Sequence, residues 1–190
     1  GEDRQVRAWN GTEWVADEEH TPFATYVAGK VMEVLSPQVL YDRQPILDLS
    51  EKNVGIGRYY YAGGHLFVRV FNDDLNEIAA CAWRPGQSGQ IDYDSAKKIP
   101  MRMPREFIYA YGQLGEDVLA ATNTGGVYRF NGDEWACLVE PIADVSYQVY
   151  TMINYEDRLL LGQYPTGNLF EYDGREVRHL ADQPPVMPGV

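Results

Sequence analysis

A nine-residue phrase is written twice in this chain, in register and far apart. Residues 6–14 read VRAWNGTEW and residues 127–135 read VYRFNGDEW, with five of the nine letters identical. An element that recurs this way needs an architecture built from copies, so internal periodicity constrains the fold more than any single residue does. Three further segments fit the same frame, a short strand ending in an aromatic and followed by a turn: QVLYDRQPI at Tyr41, ACAWRPGQS at Trp83 and LFEYDGREV at Tyr172. With Trp9 and Phe130, these aromatics stand 32, 42, 47 and 42 residues apart. Each is followed within three residues by a turn-former: Asn10-Gly11, Asp42, Pro85-Gly86, Asn131-Gly132 and Asp173-Gly174. Asn-Gly and Asp-Gly predict two-residue hairpins, because both central positions of a type I′ turn require positive φ.

A second hairpin precedes the later ones. YTMINYEDRLLLGQYPTG, FIYAYGQLGEDVLAATNTGG and VGIGRYYYAGGHLFVRVFNDD each read as strand, polar turn, strand, loop. The repeating unit therefore holds four short strands, a to d, placed at 149–153, 159–163, 169–172 and 176–180 in the clearest copy. Its b strand, Leu159-Leu160-Leu161, is continuously apolar, as is Val118-Leu119-Ala120-Ala121 in the copy before it. A strand covered on both faces has that composition. Four antiparallel strands repeating every 42 residues or so predict an all-β fold, a β-propeller of four-stranded antiparallel blades, with the c-strand aromatic filling the wedge between blades. The chain is read as a single domain, residues 1–190, with units over 1–20 (partial), 21–50, 54–100, 107–140 and 148–182. About four to five blades are expected, in an incomplete ring or, as the rival account, a closed ring of four with residues 1–17 as an extra outer hairpin. A two-sheet sandwich is the main rival, and it does not explain the spaced aromatics.

The units LLLGQYPTGNLFEYDGREV and VLAATNTGGVYRFNGDEW resemble repeats of bacterial β-propeller proteins of the kelch-like and two-component-regulator-propeller kind. The resemblance is strongest over 107–180 and implies the architecture, without an activity. The WD-repeat pattern is absent, and the Gly pairs at 63–64 and 125–126 do not stand where the kelch doublet does.

Composition narrows the partners. The formal net charge is −12, so a nucleic-acid backbone and an anionic membrane surface are both repelled. No apolar run reaches the ~18–20 residues of a spanning helix. Cys81 and Cys137 have no metal-ligand spacing and are read as two buried thiols. Gly1 reads as a cleavage scar that leaves room for a removed leader, so the compartment is left unknown, with a secreted or periplasmic one favoured.

Little in the chain points to catalysis. His20, His65 and His179 are the only histidines, and none shares a local metal spacing with another. His65 opens a b strand where other units have Asp117 and Arg158, so it is read as a solvated turn residue. FNDDLNE over 71–77 lacks the glycine and closing glutamate of a calcium loop. Asn10-Gly11-Thr12 fits a glycosylation pattern but is also the turn that the repeat demands. No catalytic residue, metal or cofactor is assigned.

Propellers bind at one end of the central channel, where the b–c loops gather. Here those loops contain Phe71 and Asn72, Asn123, and Gln163 and Tyr164, aromatic and amide groups suited to a glycan or peptide. Arg69 stands where its counterparts are Ala121 and Gly162, and an arginine there needs an acid partner or an anion. The ligand-binding candidates are therefore Arg69, Phe71, Asn72, Asn123, Gln163 and Tyr164. The inner strands lack the paired carboxylates of a glycosidase. A non-catalytic binding or scaffold module for a glycan or protein is thus expected, with a carbohydrate-active enzyme, hydrolase or lyase, as the alternative. The first hairpin has no a–b partner, so a longer natural chain and a homodimer through unpaired edges are also expected.

Overall fold

The computed structural model describes residues 7–9, 11–17, 21, 23–99, 101–103, 106–143 and 147–180. Asn10, His20, the acids Glu18 and Glu19, and the side chain of Trp9 lie outside the described residues. Four antiparallel four-stranded sheets follow one another along the chain, each a simple meander. The first comprises β3 (Thr25–Val27), β4 (Lys30–Leu35), β5 (Gln38–Tyr41) and β6 (Gln44–Asp48). The second comprises β7 (Gly55–Ala62), β8 (His65–Phe71), β9 (Asn76–Ala82) and β10 (Lys97–Lys98). In the third are β11 (Ile108–Leu114), β12 (Asp117–Thr122), β13 (Val127–Phe130) and β14 (Trp135–Val139). In the fourth are β15 (Gln148–Tyr155), β16 (Arg158–Tyr164), β17 (Leu169–Tyr172) and β18 (Val177–His179). Ahead of them stands the hairpin β1 (Arg7–Trp9) and β2 (Trp14–Ala16). One 3-10 turn, Ser50–Lys52, is the helical content of the described residues, and no described helix is long and apolar enough to cross a membrane. The architecture is all-β and propeller-like, with four blades.

Blades stack because b and c strands are apolar on both faces. Leu66, Phe67 and Val68 are all buried, as are Val118 through Ala121. One layer joins Met32, Val39 and Tyr41 of the first sheet to Leu66, Cys81 and Trp83 of the second. Another joins Phe67 and Ala80 to Val118 and Phe130, and a third joins Leu119 to Leu159, Leu161 and Tyr172. Each buried aromatic contributes about 1.5–3 kcal/mol through transfer from water. The first and fourth sheets are each open on one face: on the first, Tyr26 points away from the second sheet and is 74% exposed. On the fourth, the face away from the third leaves Ile153 and Tyr155 about 60% exposed and Leu160 only half-buried.

Register explains the uneven spacing of the aromatics. Phe130 and Tyr172 pair with the second residue of their b strands, Val118 and Leu159, and both face the preceding sheet. Tyr41 pairs with the third residue, Met32. A one-residue offset reverses the face, so Tyr41 faces forward and meets Trp83 edge-on at 4.9 Å. Trp83 itself lies one residue past β9, and Pro85-Gly86 does not open a tight hairpin as the sequence predicts. Residues 83–96 instead cross back onto the first sheet, where the Ile91 N–H donates to the Ile46 carbonyl at 2.7 Å and Ile91 and Tyr93 are buried.

The Asn-Gly and Asp-Gly turns also differ from expectation. Phe130 pairs with Trp135 and Tyr172 with Val177, so each loop has four residues. Asn131 Oδ1 accepts the N–H groups of Asp133 and Glu134, and Asp173 Oδ1 those of Arg175 and Glu176. The side chain thus replaces part of the backbone turn. Only the glycines take positive φ, 99° at Gly132 and 90° at Gly174. The duplicated phrase has the same geometry, with Trp9 paired to Trp14 and Gly11 at 100°. Paired positive φ values occur instead at Ala28-Gly29, Asp42-Arg43 and Gly63-Gly64. Cys81 is buried and Cys137 half-buried, both as free thiols.

Candidate functional site

The first strands of the second, third and fourth sheets, β7, β11 and β15, approach one another and form the inner side of the stack, and each carries a β-bulge at a corresponding place. The pairing of β7 with β8 slips between Ile56 and Tyr59, that of β11 with β12 between Ile108 and Ala110, and that of β15 with β16 between Val149 and Thr151. Arg58, Tyr109 and Tyr150 lie within these slips. A bulge removes a residue from the ladder and re-aims its side chain, and here the three re-aimed side chains meet. The Arg58 guanidinium lies 5.5 Å from the Tyr109 ring centroid and donates to the Tyr109 carbonyl. The Tyr109 ring lies 5.0 Å from that of Tyr150, which in turn lies 5.6 Å from Tyr164.

The row continues in the other direction. Phe107 is 5.3 Å from Tyr109. The Arg69 guanidinium is sandwiched between Phe107, at 5.4 Å, and Phe71, at 4.6 Å. Gly55 makes room for this end, since a Cβ there would stand 3.0 Å from Phe71 Cζ. A cleft of about 570 Å³ opens beside Arg69, Asn76 and Phe107, with Asp73 and Asp74 also on its wall. Phe71, Arg69, Phe107, Tyr109, Arg58, Tyr150 and Tyr164 therefore form one continuous cationic and aromatic surface across three sheets. Tyr150 and Tyr164 are more than half-open to solvent or nearly so.

Arg69 is held without an acid. Its Nε donates to Asn76 Oδ1 at 2.9 Å, and among the described residues no carboxylate pairs with it. Burial draws its pKa down, and the Tyr111 phenol partly offsets that. Guanidinium remains charged at neutral pH all the same. The Tyr111 hydroxyl is buried with no hydrogen-bond partner among the described residues, and its pKa is raised by burial and lowered in part by Arg58 and Arg69.

The predicted site residues divide into two groups. Arg69, Phe71 and Tyr164 lie on the row. Asn72, Asn123 and Gln163 lie in the same loops and bond within them, and Asn72 also lines the cleft beside Arg69. Asn72 Oδ1 accepts from the N–H groups of Asp74 and Leu75, and its Nδ2 donates to the Asn53 carbonyl. Asn123 Oδ1 accepts the Phe107 N–H at 2.9 Å. Gln163 Oε1 accepts from Thr166 and Asn168. Sequence reasoning missed Arg58, Phe107, Tyr109 and Tyr150. The signal available was an aromatic or cation within two residues after the first aliphatic residue of each of these strands, in IGRY, IYAY and VYTM.

His65 is not a free turn residue. Its ring meets Phe130 edge-on at 4.9 Å in the wedge between the second and third sheets. Among the described residues no cluster of His, Cys, Asp and Glu could hold a metal ion. No inner strand of the four sheets carries Asp or Glu. No known protein-family model matches the chain, and no curated protein matches it.

Proposed function

We propose that this protein is a non-catalytic recognition module that binds a glycan on the row from Phe71 to Tyr164. The observation that carries the reading is the coincidence of three bulges, which presents Arg58, Tyr109 and Tyr150 side by side on one end of the inner strands. A bulge interrupts a ladder at some cost in hydrogen bonding, and its recurrence at corresponding places favours a purpose at that face. Open aromatic rings offer apolar platforms for the C–H faces of sugars, while the guanidinium groups offer directed donors. The inner strands provide no pair of carboxylates to act as acid and base, which weighs against a glycoside hydrolase.

A glycan array probed with the intact chain tests this. Binding to a defined set of oligosaccharides is expected, reduced by Tyr150→Ala and Tyr164→Ala with the melting midpoint nearly unchanged. Binding that both variants leave intact, or retention of a peptide ligand and no glycan, overturns it.

A further inference from the structure

We infer that the glycan carries an acidic group, a uronic-acid carboxylate or a sulfate ester, received by Arg58 and Arg69 together. This rests on the recognition reading above and adds the chemical class of the ligand. The two guanidinium groups bracket one aromatic pair: Arg69 stacks on Phe107 and Arg58 on Tyr109, and those two rings are 5.3 Å apart. Stacking fixes the guanidinium planes, so donors are pre-oriented and little freedom remains to be lost on binding. The remaining N–H donors of Arg69, beyond the Nε–Asn76 bond, have no carboxylate partner among the described residues. Arg58 has only the Tyr109 carbonyl as a hydrogen-bond acceptor among the described residues.

In a chain of net charge −12, acids are abundant, and other surface cations have found them: Lys30 with Asp42, Lys52 with Asp94, Arg158 with Glu171. Arg58 and Arg69, stacked on neighbouring rings, have no such acid among the described residues. A half-buried cation that lacks a counter-charge is stabilised by an incoming anion. Charge-assisted, bidentate contacts to a planar carboxylate or a sulfate suit guanidinium well. Asp73 and Asp74 also line the cleft but do not pair with Arg69.

The experiment uses array panels of matched neutral, uronic and sulfated oligosaccharides against the intact chain, Arg58→Gln, Arg69→Gln and Tyr150→Ala. The strongest ligands are expected among the acidic sugars, with each arginine substitution weakening them about tenfold, the scale of one lost charge-assisted contact. The uronic and sulfated arms distinguish the two sources of negative charge. Arg58→Gln lies on the surface and guards against a folding artefact at Arg69. Neutral sugars bound as well as acidic ones, still sensitive to Tyr150→Ala but not to either arginine, overturn the inference and leave the recognition surface standing. Binding to no sugar overturns both.

Discussion

Tyr109 and Tyr150 belong to different sheets, yet their rings lie 5.0 Å apart with 52° between their planes. Each is the residue displaced by a bulge in its own inner strand. Neither would reach the other from a regular ladder position, because alternate residues of an unbroken strand point into the joint between blades. The joint itself is tight, so the row is carried on rigid elements, as a recognition surface requires.

That tightness is testable at Gly112, which lies between the third and fourth sheets. A Cβ there would stand 2.8 Å from Leu159 Cδ2 and from Met152 Cβ. Gly112→Ala is expected to destabilise the fold by about 1–3 kcal/mol through overpacking. Urea unfolding checks it, and unchanged stability would show that the joint is looser than described.

Tyr172 ties the same two sheets through its hydroxyl, which donates to Asp117 Oδ2 at 2.6 Å. Tyr172→Phe removes the donor while keeping the buried ring. A loss of about 1–2 kcal/mol is expected, since a carboxylate loses a charge-assisted partner. The double variant with Asp117→Asn should lose less than the sum of the single changes.

Alkaline pH acts on buried protons. Burial, first of all, pushes Tyr59 and Tyr172 from 10.0 to about 12 and the Cys81 thiol from 9.0 to about 12. These groups hold protons more tightly when folded, so their contribution is complete below pH 9.0 for the thiol and 10.0 for the phenols. It disappears as pH rises through about 12. Unfolding midpoints measured from pH 9.0 to about 12 should therefore fall steadily. In the native state at neutral pH, Cys81 should resist thiol reagents.

Much of the scaffold was legible in the sequence because burial on two faces leaves long apolar runs, and because hairpin turns need Gly, Asn or Asp. Val118–Ala121 and the duplicated NG phrase are examples. Tyr41 was not legible in full: its letter fits the repeat, but a one-residue offset sends the ring to the opposite joint. The bulges were invisible for a similar reason. Ile108-Tyr109-Ala110 reads as ordinary alternation, and only backbone pairing shows that Tyr109 has left the ladder. At the site, the loops were placed by hydrophobic pattern. The direction of each amide could not be, and the oxygens of Asn72, Asn123 and Gln163 turn out to bond within the loops.

The fourth sheet leads to a prediction about assembly. Hairpin β13–β14 covers the second sheet through Phe130, 5.5 Å from Phe67, and β17–β18 covers the third. Hairpin β1–β2 repeats their loop geometry, and the outer face of the fourth sheet leaves Ile153 62% exposed beside the Arg158–Glu171 ion pair, an open face that such a hairpin could cover. Association of two copies through this pair is expected, lost in Ile153→Lys. Light scattering that finds a monomer at every concentration would contradict it.

The most direct test of the recognition row is a crystal structure of the chain with the best ligand from the array. The sugar should lie across Tyr109 and Tyr150, with its acidic group between Arg58 and Arg69. A ligand seated instead on the outer groove beside Lys30 and Trp83, or on the d strands, would contradict the assignment of the bulged residues as the binding surface.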